Sequence, residues 1–368
     1  MRIGIIGAGQ LGQMLGLAAR SLDVQCCFVD PSDNPPAALC GDVLQRPFDD
    51  ADALLQLASD CDVITYEFEN VPVPALQQID GRVPVYPPLA ALACAQDRLS
   101  EKQLFARHGI PVAAYHVIDT RVDMDAAAKK LGLPMVIKTR RLGYDGKGQF
   151  VVRQSSALNA AWELLGGQAL IAEQWVSFDF EVSCIGVRNV DGDVAIYPLS
   201  HNVHVDGILR TSRSPLEAFG LASEASDYVH RLLAHLDYVG VLALELFVVN
   251  DTLLANEFAP RVHNSGHWTI EGSQTSQFEN HLRAIMNMPL GSTAGRGHAG
   301  MVNLIGTIPQ AIRTLAIGHL HDYGKVPRPG RKLGHITVVE DSADKRDELI
   351  DIIDTTVTRS TLTHENTA

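Results

Sequence analysis

Positive charge is scarce in this sequence. Its 368 residues hold 30 Lys and Arg against 43 Asp and Glu, a formal net charge of −13. Such a chain offers no general basic face, which argues against a nucleic-acid binder or a protein of anionic membrane surfaces. One local basic pocket could still take an anionic small molecule. Long apolar runs are missing as well, since no stretch reaches the ~18 residues of a membrane span. The six cysteines include no CxxC pair. Adjacent Cys26 and Cys27 would point to opposite faces of one strand. Buried thiols in a reducing compartment are therefore expected rather than a disulfide framework or a metal site. No internal repeat and no low-complexity tract is visible.

What is there suits a globular protein of two or three domains, at ~150 residues per domain. Hydrophobic residues make up 46% and charged residues 20%, enough for a buried core and too little charge for a disordered chain. Met1-Arg2-Ile3-Gly4-Ile5-Ile6-Gly7 enters a strand at once, without the long apolar region and small-residue cleavage site of a leader, so a cytoplasmic location is expected.

The first hundred residues alternate apolar runs (Ile3–Ile6, Val24–Val29, Asp62–Phe68) with helical spacing at Leu11–Leu22, which predicts a small parallel sheet with crossover helices. A helix is expected over Ala95–Arg107, stopped by Gly109 and Pro111. Pro134–Thr139 and Gln149–Arg153 read as strands around a glycine-rich turn. Leu170–Val176, Phe180–Val187 and Val194–Leu199 continue in strand style, the last after an Asp191-Gly192 hairpin signal. This middle region reads as antiparallel. Ser223–Leu236 and Gln274–Met286 read as helices, and Val241–Val249 with Leu253–Phe258 as a hairpin turning at Asn250-Asp251. Beyond a glycine-rich break at Gly291–Gly300, short strands at Val302–Ile305 and His335–Val339 precede a helix at about Lys345–Thr355. Thr358–Ala368 is expected to fray.

Five constellations carry chemistry. Gly7-Ala8-Gly9-Gln10-Leu11-Gly12 follows a strand and opens a helix, where backbone amides and the helix N-terminus favour an anion. Asp30 ends the second strand at the spacing of a ribose contact. Three readings stay open here: a nicotinamide dinucleotide site, a seat for one phosphate of a mononucleotide, or a turn that merely needs glycine. Lys138 closes a strand before Gly143-Tyr144-Asp145-Gly146-Lys147-Gly148, a turn able to fold over phosphates. It lacks the GK[ST] of a Walker A loop, and an ordinary glycine-rich hairpin would read the same way. Glu245 and Glu257 stand in apolar strands on either side of the hairpin turn. An unpaired carboxylate there is costly, and two with Asn256 make an oxygen-rich site suited to Mg²⁺, salt-bridged carboxylates being the other reading. Arg261-Val262-His263-Asn264-Ser265-Gly266-His267 brings together a cation, two imidazoles and an amide, the equipment for a small oxyanion. Zinc at His263 and His267 lacks an evident third ligand. Lys325, Arg328, Arg331 and Lys332 gather in one Pro-held loop, and a phosphate-facing role is favoured over a solvated basic loop because the rest of the chain is short of positive charge.

Lys138, the glycine-rich turn, Glu173-Gln174-Trp175-Val176, Glu181, Glu245 and Asn256-Glu257 occur in the order seen in ATP-grasp enzymes. The chain as a whole, all but Thr358–Ala368, resembles the N5-carboxyaminoimidazole ribonucleotide synthetase family within them. Besides the strings already quoted, the resemblance rests on Gln13-Met14, on His201-Asn202-Val203-His204-Val205-Asp206-Gly207-Ile208-Leu209-Arg210, on Ala259-Pro260 and on Arg328-Pro329-Gly330-Arg331-Lys332-Leu333-Gly334-His335. It implies a mixed α/β (α+β) protein with the ATP-grasp fold. Residues 1–97 would form a Rossmann-like parallel-sheet domain, 98–290 the ATP-grasp domain with a mobile lid at about 112–178, and 291–368 a small C-terminal domain.

The resemblance also implies a ligase that joins bicarbonate to the exocyclic amine of 5-aminoimidazole ribonucleotide, with ATP and through carboxyphosphate. Arg98 and Lys138 would contact ATP phosphates under the lid turn Gly143–Gly148, Lys147 standing where Arg is also common. Glu173, Gln174, Trp175 and Val176 would meet adenine, Glu181 the ribose, with His204 and Asn256 as further nucleotide-side contacts. Glu245 and Glu257 would hold Mg²⁺. Arg261, His263 and Asn264 would hold bicarbonate. Tyr144, Asp145, Lys325, Arg331 and Lys332 would face the ribonucleotide, whose 5′-phosphate would sit at Gly9, Gln10 and Leu11. Glu67 and Glu69 flank the same cleft, with no sign of which points in. A homodimer is expected. The rivals are a nicotinamide oxidoreductase, which leaves Glu245 and Glu257 idle, a catalytically silent binding protein, and a formate-using ribonucleotide transformylase.

Overall fold

The computed structural model of the chain describes residues 1–143 and 147–365. Short apolar runs become the strands β1 (Arg2–Ile6), β2 (Gln25–Val29), β3 (Asp42–Leu44) and β4 (Val63–Tyr66). They form one parallel sheet in the order β3-β2-β1-β4. Parallel strands are covered on both faces, which is why they read as unbroken apolar runs. Cys26 packs with the helix Gln10–Ser21 on one side, and Cys27 with Leu54 and Leu57 of the helix Ala51–Asp60 on the other. All six cysteines are free.

The helix expected over Ala95–Arg107 forms but starts later, at Arg98–Arg107, and a separate helix, Leu89–Ala95, precedes it. Asp97 breaks them apart: its backbone is extended, and its carboxylate accepts from the amides of Leu99 at 3.0 Å and Ser100 at 3.3 Å, an N-cap the sequence expectation overlooked. Arg140 clamps the same carboxylate at 2.7 and 3.1 Å.

A second sheet is antiparallel, with β5 (Tyr115–Ile118), β6 (Met135–Thr139), β7 (Gln149–Val152) and β8 (Leu170–Gln174) in the order β5-β8-β6-β7. The helices Arg121–Leu131 and Leu158–Leu165 share its apolar core. The glycine-rich turn joins β6 to β7, and the Thr139 amide donates to the Gly148 carbonyl at 2.8 Å across its base. Tyr144, Asp145 and Gly146 lie outside the described residues.

The third sheet holds β9 (Phe180–Arg188), β10 (Val194–Ile196), β11 (Ser200–Val205), β12 (Ile208–Ser214), β13 (Gly240–Val249), β14 (Thr252–Ala259), β15 (His298–Ile305), β16 (His319–Asp322) and β17 (Lys332–Glu340). Its order is β14-β13-β9-β11-β12-β15-β17-β16, with β10 on β9. The hairpin β13–β14 turns at Asn250 and Asp251, both left-handed (φ 47° and 59°), as a tight two-residue turn requires. The strands beyond residue 290 do not build a sheet of their own; β15 pairs with β12, Thr211 opposite Val302.

Two helices are trimmed or extended relative to expectation, to Phe219–His235 and Gln277–Ile285. The last helix departs more. It runs Ala343–Glu365, through residues expected to fray. Ile350, Ile353 and Val357 continue one buried stripe against β15 and β17, and Arg210 reaches Asp354 at 2.5 Å, so the packing continues past Thr355.

Asp97→Ala removes both the cap and the Arg140 clamp. It should lower unfolding free energy by about 2 kcal/mol, measured by urea denaturation; an unchanged midpoint would show that neither contact counts.

Candidate active site

The three sheets meet around a cleft of about 810 Å³. At its floor, β13 and β14 set Glu245 directly opposite Glu257. Both line the cleft, as does Asn256. Glu245 is flanked by the buried Leu244 and Leu246, so its carboxylate has one way out. Two carboxylates facing each other across a strand pair repel, and a hydrogen-bonding partner meets each. His263 Nε2 lies 2.9 Å from Glu245, and Arg98 Nη1 lies 3.0 Å from Glu257. Burial would raise the Glu245 carboxyl, but His263 and, farther off, His204 outweigh it and hold it down to about 2. This donor set of two carboxylates and an amide oxygen fits a hard divalent cation.

The stretch after β14 forms a cradle beside that pair. Arg261 is anchored to Glu69 by Nε at 2.5 Å and to the Val262 carbonyl by Nη1 at 3.0 Å. His263 is steadied by Ser265 at 2.8 Å and, through its backbone amide, by Gln277 at 3.0 Å. Asn264 pairs with Asn303 of β15. All three cradle residues line the cleft. His267 does not face it. Its ring is 1% exposed, so it is no partner for His263 in a metal site.

On the other side lies a slot with an apolar wall. Phe178 and Phe247 stack at 4.7 Å, and Trp175, Val176, Val136 and Val151 line the same space. Lys138 sits at its inner end, 2.9 Å from Glu173. Burial opposes ionisation of Glu173, yet Lys102 and Lys138 hold its carboxyl down to about 2. Its Oε1 is buried and lacks a hydrogen-bond partner among the described residues, leaving an acceptor for an incoming N–H. Across the slot, Glu181 meets His204 at 2.7 Å. Burial lowers the His204 pKa, the Glu181 carboxylate raises it, and the net direction is up.

Three amides of the glycine turn at the N-terminus are taken by carboxylates of the chain itself. Glu67 accepts from Gly9 and Gly12, each at 2.6 Å, and Asp30 accepts from Ala8 at 2.8 Å. Asp30 is thus a cap of the turn, not a ribose contact, and the dinucleotide reading falls with it. The Gly9 amide is likewise spoken for, so of the residues expected at a 5′-phosphate, Gln10 and Leu11 are the ones that line the cleft. Gly7 is required by the same contact: it is left-handed (φ +98°), and a Cβ there would lie 2.4 Å from Glu67 Cγ. Glu67 and Glu69 both border the cleft, one turned to the glycine turn and the other to Arg261.

The basic loop reaches this end. Lys325 donates to Gln10, and Lys332 lines the cleft. Burial and neighbouring Arg331, Lys332 and Arg328 bring the Lys325 pKa down to about 8 against the pull of Glu67. Arg331 donates to the Val326 carbonyl at 3.1 Å, and Lys147 is exposed; neither is among the described residues that line the cleft.

Sequence reasoning overlooked Lys102, which is buried, donates to the Asn256 carbonyl at 2.8 Å and lies 3.7 Å from Glu173. It also overlooked Glu101, which accepts from the Phe258 amide at 2.7 Å. Arg98, Glu101, Lys102 and Phe105 are spaced i, i+3, i+4, i+7. That charged stripe sharing a helix face with a buried aromatic was the available signal. Asn303 offered none.

Comparison with known proteins agrees with this geometry. Residues 1–96 match the ribonucleotide synthetase preATP-grasp domain, 103–278 the ATP-grasp domain, and 299–349 the phosphoribosylaminoimidazole carboxylase C-terminal domain. The N5-carboxyaminoimidazole ribonucleotide synthase of Pseudomonas aeruginosa is 48% identical over 344 residues, 92% of this chain and 94% of that protein. The corresponding synthase of Bacillus subtilis is 39% identical, covering 93% of this chain and 92% of its own length. The crystal structure of N5-carboxyaminoimidazole ribonucleotide synthetase from Thermus thermophilus superposes with a TM-score of 0.91 at 49% identity, over 95% of this chain and 96% of that one. The Aspergillus clavatus enzyme, solved with ADP and 5-aminoimidazole ribonucleotide, gives 0.90 at 31% identity, over 97% and 98%.

Glu173→Gln strands two buried ammonium groups. At pH 7 it should cost about 3 kcal/mol of stability. A carboxyl held near 2 stabilises fully above its unfolded value of ~4.3 and loses that contribution as pH falls toward 2. The gap between variant and parent should therefore close on acidification, as chemical denaturation at several pH values would reveal; a pH-independent gap would contradict the assignment.

Proposed function

The chain belongs to the N5-carboxyaminoimidazole ribonucleotide synthase family of ATP-grasp ligases, and from that premise we propose how its cleft divides the reaction. The activity is the ATP-dependent conversion of 5-aminoimidazole ribonucleotide to N5-carboxyaminoimidazole ribonucleotide, in purine biosynthesis. The observation that carries the residue assignment is the opposition of Glu245 and Glu257 beside the Arg261–Asn264 cradle.

ATP enters the slot with its adenine between the apolar walls, and its exocyclic amine donates to the unpaired Glu173 oxygen. Glu181 and His204 take the ribose. Lys138 and Arg98 oppose the charge of the phosphates, with the turn 143–148 as their cover. Glu245, Glu257 and Asn256 would hold Mg²⁺, which when bound offsets charge developing on the transferring phosphoryl group. Arg261 fixes bicarbonate in line with the γ-phosphate, with His263 beside it as the link to Glu245. An oxygen of bicarbonate attacks the γ-phosphorus as the bond to ADP breaks, giving carboxyphosphate. That breaks down to CO₂ and phosphate, and the ribonucleotide amine attacks the CO₂ carbon and gives up a proton. Preorganised cations lower the barrier because they need no reorientation as charge moves. Water must be kept out, or the intermediate is lost to hydrolysis. Tyr144 and Asp145 are assigned toward the ribonucleotide on the family resemblance alone. Lys325, Lys332 and Gln10 receive its phosphate, with Arg331 as an outer cation.

We take residues 1–97, 98–290 and 291–368 as the working units, the second with a lid at about 112–178, and the enzyme as a cytoplasmic homodimer. The free cysteines support a reducing compartment. Among the described residues, no helix is long and apolar enough to cross a membrane.

ADP release coupled to formation of a labile carbamate should need ATP, bicarbonate and the ribonucleotide together, and Glu257→Gln should lower turnover by about 100-fold. Turnover that ignores bicarbonate and follows formate would sink the reading, and full activity in Glu257→Gln would sink the metal assignment. Because Lys325 is protonated below about 8 and neutral above it, kcat/KM for the ribonucleotide should fall as pH rises through that value. Lys325→Arg should move this falling arm to higher pH; an arm left in place would assign it to another group.

A further inference from the structure

Asn303 lies on β15, is 0% exposed, and has no evident reason to be polar in a strand whose neighbours are Val302 and Leu304. Its side-chain amide makes three hydrogen bonds. Nδ2 donates to the Leu209 carbonyl at 2.8 Å and to Asn264 Oδ1 at 2.8 Å, while Oδ1 accepts from Asn264 Nδ2 at 3.1 Å. The Leu209 carbonyl can only accept, so it fixes which end of Asn303 carries the two hydrogens. That in turn fixes Asn264, since turning over either amide would set oxygen against oxygen and nitrogen against nitrogen.

The second hydrogen of Asn264 Nδ2 goes to His267 Nδ1 at 3.0 Å. His267 is fully buried, which disfavours its charged form, and of the two nitrogens of a neutral ring Nδ1 is the one that faces the oriented N–H of Asn264 and so accepts. The Tyr323 hydroxyl stands 3.2 Å from that nitrogen but 2.7 Å from His335 Nδ1, the closer acceptor for its hydrogen. Both N–H groups of Asn264 are therefore spent inside the protein. The one atom of its amide with capacity left is Oδ1, an acceptor. Its neighbour in the cradle, Arg261, is a donor with N–H groups to spare beyond those given to Glu69 and Val262, whereas both ring nitrogens of His263 are engaged by Glu245 and Ser265.

An anion held by a guanidinium on one side and an acceptor on the other is one that carries its own hydroxyl. We propose that Asn303 is a positioning residue for the bicarbonate site: it locks Asn264 so that the residue presents an acceptor, which receives the O–H of bicarbonate and leaves the charged oxygens to Arg261. This rests on the cradle's reading as a bicarbonate site. It extends that site into the strand that follows residue 290, and it gives the site a means of preferring bicarbonate over a carboxylate such as formate, which has no O–H.

The test is steady-state kinetics of Asn303→Leu, with Asn303→Ser in its place should the leucine variant not fold. The KM for bicarbonate should rise about tenfold, the loss of one well-placed hydrogen bond, while the KM values for ATP and the ribonucleotide stay within about twofold. A merely structural role would degrade all three together, and that outcome, or an unmoved bicarbonate KM, overturns the proposal. In the unaltered enzyme, formate should compete with bicarbonate only at concentrations at least about tenfold above the bicarbonate KM; equal competition also overturns it. If the unaltered enzyme releases ADP without regard to bicarbonate, the cradle reading fails first, which separates the two failures.

Discussion

Two carboxylates made to face each other across neighbouring strands cannot be left alone. Glu245 and Glu257 are set opposite by the register of β13 and β14, and Glu245 is the half of the pair with little water to screen it, Glu257 being more open. The surrounding structure answers with partners from two other places in the chain. Arg98 comes from the start of a helix, and His263 from the turn after β14. The strand pair, the helix and the turn are thus held to one another by the same charge requirement that suits the site to a divalent cation.

The helix Arg98–Arg107 is where the two halves of the cleft are joined. Arg98 serves the carboxylate pair, Glu101 accepts the Phe258 amide beside it, and Lys102 ties the Asn256 carbonyl to Glu173 of the apolar-walled slot. Asp97 starts this helix and holds Arg140, at the end of β6, to it. These roles for one short helix explain why Glu101 and Lys102 are buried, a costly arrangement that is tolerated only when every charge has a partner.

Much of the fold could be read directly. Unbroken apolar runs gave the parallel strands, the Asn250-Asp251 pair gave the hairpin, and glycine after a periodic stretch ended a helix at Gly109, because each of these signals is local. The break at Asp97 and the extension of the last helix were missed for opposite reasons. One was a cap hidden inside a periodic pattern; the other was a tail whose burial depends on strands far off in sequence. In the site, Glu245, Glu257, Arg261 and His263 stood out as charge and imidazole in apolar company. The glycine turn stayed ambiguous, since a motif that needs amides for an anion cannot say whether that anion is a ligand or the protein's own Glu67.

By itself the sequence determined the inventory: which strands are apolar, where turns fall, and which acidic, basic and amide groups stand in the order of an ATP-grasp enzyme. Tertiary structure decided who meets whom. It turned Glu67 into the turn and Glu69 toward Arg261, put Lys102 beneath the nucleotide slot, and brought Asn303 to Asn264 across 39 positions. The physical reason is that hydrogen bonds and ion pairs act over about 3 Å. Distances that short are set by packing between elements remote in the chain, and no local pattern of residues encodes them.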